Sequence, residues 1–258
     1  YYKLRQGSMD RPRGNYMADL VYRSVMRDIK HKILNGDYAN MKLPDERSLS
    51  SDYGVSRSSI KRALGILAQQ GIIFKKRGSG TFINPLYLKN QAMFRYEGSN
   101  LGITDSFKLD GKKQGIKLLN YQVVPASQEI QQDLFLNDND FVYQIKRLRL
   151  IDDQPFMIET GYIPIKIMPT LSPAIVEGSI FNYLEESQNK TVTRSFMTIS
   201  VSPSNDEDQK ELHLKPTEPV GIMEGVFFLD DGTPFEVSNM RVHYQYMKYN
   251  TFVNLNQD

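Results

Sequence analysis

Apolar residues recur every fourth position from Leu20 to Leu34, at Val21, Val25, Ile29 and Ile33, which is the spacing of one helix face. Asn35-Gly36 ends that run. Pro44-Asp45 opens a second, short helix, with Asp45 as its N-cap, Leu49 and Tyr53 on its inner face and Gly54 as its stop. Ser56 caps a third helix, from Arg57 to about Gln70, whose inner stripe is Ile60, Leu64 and Leu67. Two short helices joined around a glycine form a helix-turn-helix pattern. The β-type runs Ile72–Lys75 and Thr81–Ile83 flank Lys76-Arg77-Gly78-Ser79-Gly80 and predict a hairpin, or wing.

From Asn84 to about Ser99 no period is sustained, and the stretch reads as a linker. Strands are predicted at Ile116–Val124, Phe141–Ile151 and Phe156–Ile163, with Asp152-Asp153-Gln154-Pro155 as a turn. Helices are predicted from Ser127 to Leu134, Ser179 to Ser187 and Asn205 to Leu214. A second hairpin joins Val220–Leu229 to Pro234–Tyr244 through Asp230-Asp231-Gly232-Thr233. There is no tandem repeat or low-complexity tract. The pattern predicts an α+β chain with a winged helix-turn-helix before an antiparallel-sheet domain.

Charge sharpens that division. Over the whole chain, 32 basic and 30 acidic residues leave a net +2. Residues 1–85, however, hold sixteen basic and seven acidic side chains, a net +9, whereas residues 86–258 carry −7. The basic end is the natural partner of nucleic acid. Residues 1–16 read as an arm or a remnant of expression, and residues 16–85 keep a net +6 without it. With no cysteine, disulfides, thiolate zinc sites and cysteine nucleophiles are excluded, and a reducing, cytoplasmic address fits. No apolar run approaches the ~20 residues that span a bilayer, so no membrane partner is expected.

On the third helix, Arg57, Ser58, Lys61 and Arg62 lie away from the apolar stripe and crowd toward the N-terminal half, where a recognition helix meets base edges. Glycines let the wing tip approach a groove, while Lys75, Lys76 and Arg77 neutralise phosphates. A nucleotide-binding glycine loop is a poor rival, because it lacks the flanking strand and helix and the Lys-Ser/Thr ending.

Leu43-Pro44-Asp45-Glu46-Arg47-Ser48-Leu49, Tyr53-Gly54-Val55-Ser56-Arg57, Ala63-Leu64 and Gly78-Ser79-Gly80-Thr81-Phe82 together resemble the GntR-type winged helix-turn-helix over residues 17–85. The resemblance implies operator contacts at Arg47, Ser56, Arg57, Ser58, Lys61 and Arg62, and at Lys76, Arg77, Gly78, Ser79 and Gly80 in a minor-groove wing. Lysine at position 61, where the family often has arginine, keeps the charge without the planar fork.

The strand Phe141–Ile151 sets Tyr143, Ile145, Arg147, Arg149 and Ile151 on one face. Three explanations fit two arginines there. They line an anion pocket, a twisted strand end exposes them, or each pairs with a nearby carboxylate. Arg147-Leu148-Arg149 through Asp152-Asp153-Gln154-Pro155 to Glu159 resembles the signature of the UTRA effector domain, found in the HutC branch of GntR regulators, and Asp231-Gly232-Thr233-Pro234-Phe235-Glu236 resembles its last motif. The match spans about residues 99–250, in a domain assigned to 99–258 and similar in fold to chorismate lyase. It implies an effector site in which Arg147, Arg149 and Ser179 hold a phosphate, with Thr104 in a first loop and Glu159, Phe181 and Glu236 around a sugar. The stretch His243–Met247 departs from the family's usual run, and Gly102 stands where several members have serine.

An enzyme is the alternative. The three histidines, His31, His213 and His243, fall on separate elements without metal-ligand spacing, His213 in a helix's last turn. No nucleophile elbow, zinc motif or phosphate loop appears. A metabolite-binding enzyme of chorismate-lyase-like fold, with an incidental basic domain, would have to rest on vestigial catalysis. The favoured expectation is a homodimeric regulator, a repressor, that needs no cofactor or metal. It would bind an inverted-repeat operator and respond to a small phosphorylated or otherwise anionic sugar-type effector.

Overall fold

A computed structural model describes residues 13–89 and 113–249, with side chains from residue 21 onward. The chain divides into two compact units near residue 91.

The first unit has helices α1 (Arg13–Asn35), α2 (Glu46–Tyr53) and α3 (Arg57–Gln69), strands β1 (Ile73–Lys76) and β2 (Gly80–Ile83), and helix α4 (Pro85–Lys89). Ile29 and Ile33 of α1, Leu49 of α2, and Ile60, Leu64 and Leu67 of α3 form one core, closed by Ile72, Ile73 and Ile83. Asp45 caps α2 by accepting from the backbone of Arg47 and Ser48 at 2.9 and 2.8 Å. Gly54 ends that helix at φ 63, a left-handed turn that suits glycine. The Tyr53 hydroxyl donates to Asp28 at 2.6 Å and ties α2 to α1.

Two expectations need correction. Residues 13–16, read as part of an arm, lie in α1, while residues 1–12 fall outside the described residues. The stretch read as a linker begins with helix α4. Pro85 sets the first helical φ, Asn84 accepts from the Leu86 amide at 3.0 Å, and Tyr87 and Leu88 pack on the core. A single turn is too short to show periodicity.

The second unit is an antiparallel six-stranded sheet in the order β3-β4-β5-β8-β7-β6. Its strands are β3 (Gln114–Pro125), β4 (Phe141–Ile151), β5 (Gln154–Pro164), β6 (Val192–Pro203), β7 (Pro219–Leu229) and β8 (Pro234–His243). Between them lie α5 (Gln128–Leu134), α6 (Pro173–Val176), α7 (Ile180–Gln188) and α8 (Asp206–Glu211). One face carries the main core, in which Ile145, Phe156, Met157, Met223, Met240 and Val242 meet Val176 of α6 and Ile180 and Leu184 of α7. Asp152 and Asp153, at φ 50 and 63, make the two-residue turn that matches the twist of β4 and β5.

Strand β6 has no counterpart in the pattern reading. Both of its faces are largely exposed, so polar and apolar positions do not alternate cleanly. The helix expected from Asn205 to Leu214 stops at Glu211, and His213 lies beyond it at φ 57 rather than in its last turn. No helix among the described residues is long and apolar enough to cross a membrane.

Candidate functional site

In the first unit, the Ser56 hydroxyl accepts from the Ser59 amide at 3.2 Å and starts α3. Arg57, Ser58 and Lys61 are exposed on its outer side, with Arg47 exposed in the first turn of α2. The guanidinium of Arg62 stacks 4.0 Å over the Tyr22 ring of α1, so Arg62 braces two helices as well as presenting charge. Lys76, Arg77 and Gly78 are exposed in the wing, where the Ser79 amide closes the turn on the Lys76 carbonyl at 2.9 Å. Gly78 and Gly80 take φ 73 and 116, conformations that strain residues with a side chain.

Two wing lysines stand differently from the pattern reading. Lys75 pairs with Glu46 at 2.7 Å, which offsets its charge toward a phosphate. Lys42, which the pattern reading missed, lies against the wing. Its backbone bridges to Phe82, its ammonium is 5.7 Å from the Phe82 ring centre, and its stem covers Gly80 so closely that a β-carbon there would lie 2.9 Å from Lys42 Cε. Its distance from the wing in sequence hid that placement.

In the second unit, β4 turns Arg147 and Arg149 toward the core face, where they are 4% and 6% exposed. The register sets Arg147 opposite Glu159 of β5. One Glu159 oxygen, Oε2, lies 2.8 Å from Arg147 Nη2 and 2.7 Å from Arg149 Nε. Arg147 Nη1 also donates to the carbonyls of Val176 and Gly178 at 3.1 and 3.2 Å, which brings it beside the start of α7. There the Ser179 hydroxyl accepts from the Asn182 amide at 3.3 Å. Glu236 of β8 is 2% exposed, and its carboxyl fills the space that a β-carbon on Gly161 would need. Ser238, which faces Gly161 across the β5–β8 pairing, is buried with no hydrogen-bond partner for its hydroxyl.

Burial opposes ionisation of Glu159, but the two guanidinium charges outweigh it and hold its carboxyl at about 2. Burial and the Glu159 charge push Glu236 up to about 8 against the attraction of both arginines. Burial also lowers Arg147, opposed by Glu159. Near neutral pH the cluster therefore holds two cations, one carboxylate and one protonated acid. Its charge is +1, in an interior where an anion would offset that excess.

The burial of Arg147 and Arg149 removes one of the three readings of the arginine face, that of a twisted strand end exposing them. Both side chains point inward, and Glu159 serves as their shared counter-ion. Phe181 is partly buried and meets Phe227 and Phe235 edge-on at 5.4 and 5.7 Å, so it is a wall of the core beside Glu236. Thr104 lies outside the described residues. In the departing stretch, Tyr246 packs edge-on against Phe156 at 6.0 Å and Met247 covers Gly221, so this run joins the core. Gly161 and Ser238 went unread in the sequence because only strand pairing places them next to Glu236.

Residues 21–83 match the family model described as bacterial regulatory proteins, gntR family, and residues 110–248 match that of the UTRA domain. The chain is 30% identical over 221 residues to the HTH-type transcriptional regulator GmuR of Bacillus subtilis, covering 85% of this chain and 92% of that protein. It is 27% identical over 217 residues to the HTH-type transcriptional repressor NagR of the same organism, covering 84% and 87%. The crystal structure of the possible transcriptional regulator YydK from Bacillus subtilis superposes with a TM-score of 0.71 at 26% identity, over 91% of this chain and 99% of that one. With helix-turn-helix, wing and sheet domain in the same order as these regulators, the chain belongs to the gntR family of bacterial regulatory proteins and is a DNA-binding transcriptional regulator with a UTRA domain, not an enzyme.

Proposed function

We propose that this regulator is a homodimeric repressor of the HutC branch, released from an inverted-repeat operator by a small anionic, sugar-type metabolite. The observation that carries the effector reading is the buried cluster of Arg147, Arg149, Glu159 and Glu236, two guanidinium groups sharing one carboxylate oxygen within a domain that is negative overall. Arginine is suited to phosphate and carboxylate because its planar fork donates two parallel hydrogen bonds. A protonated Glu236 and the unpartnered Ser238 hydroxyl supply donors and acceptors for ligand hydroxyls. Ser179 at the head of α7 adds a hydroxyl beside Arg147, and Phe181 supplies an apolar wall. Relatives point the same way: one is named the mannosyl-D-glycerate transport/metabolism system repressor, of Escherichia coli.

On the DNA side, Arg57, Ser58 and Lys61 would read bases from the N-terminal half of α3. Arg47, Ser56 and Arg62 would flank them, and Lys76, Arg77, Gly78, Ser79 and Gly80 would enter the adjacent minor groove. A two-fold dimer sets two such helices against two half-sites. Effector binding favours a spacing of the winged units that no longer fits both half-sites. A tenfold loss of operator affinity requires a coupling of only about 1.4 kcal/mol.

A gel shift with DNA from upstream of the protein's own gene, run against a panel of sugar phosphates and sugar acids, tests this reading. One compound should release the complex, and the operator should weaken binding of that compound by the same factor. Equal effector affinity with and without operator would falsify the mechanism. Arg57→Ala should cost about 1–3 kcal/mol of specific DNA binding and leave effector binding unchanged.

A further inference from the structure

The chain just before α2 runs beside the wing. Lys42 bridges to Phe82, and the Leu43 amide donates to the Thr81 carbonyl at 3.0 Å. Phe82 pairs in turn with Phe74 of β1, and Gly80 with Lys76. Opposed residues share a face and successive ones alternate, so Lys42, Phe74, Lys76, Gly80 and Phe82 lie on one face of the wing. Ile73, Lys75, Thr81 and Ile83 lie on the other. Ile73 and Ile83 close the core, which makes the first face the outer one. The lysines of the two faces are satisfied differently. Lys75 pairs with Glu46, whereas Lys42 and Lys76 are exposed and have no ion-pair partner among the described residues.

We propose that Lys42 is a DNA-contacting residue that neutralises a backbone phosphate beside Lys76, at the lip of the minor groove. The inference rests on reading the wing as a minor-groove element and adds a side chain from outside it. Both lysines stand at Gly80. Lys76 is its cross-strand neighbour, and the Lys42 stem passes over it, Cε and Nζ lying 2.9 and 3.6 Å from the place of a β-carbon. Two like charges side by side on paired strands repel, and facing anions offset that cost. Depth selects DNA phosphates as those anions. A strand rises about 3.3 Å per residue, so Gly80 stands roughly 7 Å behind the tip at Gly78, against a minor-groove depth of about 7.5 Å. A wing seated to its tip thus brings Gly80 level with the phosphates lining the groove. The Phe74 and Phe82 rings, stacked at 5.9 Å, floor this face, and the Lys42 ammonium is 5.7 Å from the Phe82 ring centre. A lysine already laid over a ring has less rotamer freedom to lose when it meets a phosphate.

The test is a titration of the full-length protein with DNA from upstream of its own gene, repeated across a series of salt concentrations. Lys42→Met keeps an apolar stem over Gly80 and removes the charge. It should flatten the plot of log affinity against log salt by about 0.9, equivalent to about eightfold weaker binding at 0.1 M salt, with the circular-dichroism spectrum kept. Lys42→Arg should restore both slope and affinity. The double variant Lys75→Met/Glu46→Gln removes a neutral pair from the other face and should leave the slope as it was. A Lys42→Met slope equal to that of the unmodified protein overturns the proposal, and so does a loss that Lys42→Arg fails to restore. An equal loss in the double variant overturns the choice of face. Lys76→Met separates this inference from the reading beneath it. If Lys76→Met flattens the slope by about 0.9 while Lys42→Met does not, the wing reading stands without Lys42; if neither does, both fall.

Discussion

Two buried groups in the UTRA unit, Glu236 and Ser238, work against its stability. Glu236 has its pKa raised, so it enters the folded state protonated and its presence costs progressively more stability as pH rises from the unfolded carboxyl value toward about 8. Glu159 behaves in the opposite sense. Held at about 2, it contributes stability that is fully present above the ordinary carboxyl range and is lost as pH falls toward that value. Ionisation of Glu236 removes the cluster's net positive charge, so affinity for an anionic effector should fall as pH passes about 8. Glu236→Gln should flatten that dependence in a calorimetric titration; an unchanged slope would remove Glu236 from the site. Ser238 leaves its buried hydroxyl unsatisfied. Ser238→Ala should therefore raise the stability of the unliganded protein by about 1–3 kcal/mol in urea denaturation while weakening effector binding. Arg149→Ala should spare DNA binding and abolish the response to effector, and retained release would exclude an anion-holding role. It should also lower stability, because it leaves a buried carboxylate with one cation fewer.

The helices of the winged unit follow their caps, and their ends were legible in sequence for that reason: Asp45, Gly54 and Ser56 each mark a boundary in the structure. Gly65 is the exception within α3. A β-carbon there would meet nothing within 4 Å among the described residues, so the helix carries glycine's entropic cost with no packing reason among them. Gly65→Ala should raise the urea midpoint by an amount equivalent to about 0.5–1 kcal/mol. The strands are less permissive. A β-carbon on Gly225 of β7 would run into the Phe196 carbonyl of β6, so Gly225→Ala should loosen that edge and lower the melting temperature. The test is a thermal melt of the variant beside the unmodified protein. Strand β4 was legible end to end because its residues are mostly aromatic and aliphatic and the Asp152-Asp153 turn marks its end, whereas β6 was not, because an edge strand without a covered face has no period to read.

For the molecule as a whole, charge is divided between its two tasks. Exposed Arg47, Arg57, Lys61, Lys76 and Arg77 should make operator affinity fall steeply with salt, the logarithm of the binding constant dropping by about 0.9 for each phosphate neutralised per tenfold rise in salt. Lys42→Ala should reduce that slope by about one if its place beside the wing serves DNA. A slope unchanged from the unmodified protein would assign Lys42 to covering Gly80 alone. The order of domains, the recognition helix and the wing could be read from residues close together in the chain, because caps, turn glycines and helical stripes act over a few positions. The arginine strand was visible in the same way, but not what its arginines do. Whether Arg147 and Arg149 faced solvent, a ligand or a carboxylate depended on β4 pairing with β5, which sets Glu159 between them, and on β8 pairing with β5, which sets Glu236 and Ser238 around Gly161. Those contacts join positions separated by up to three strands of chain. Local pattern determined the elements and the balance of charge, while sheet order determined which buried charges meet, because electrostatic energy in a dry interior depends on distances that only packing sets.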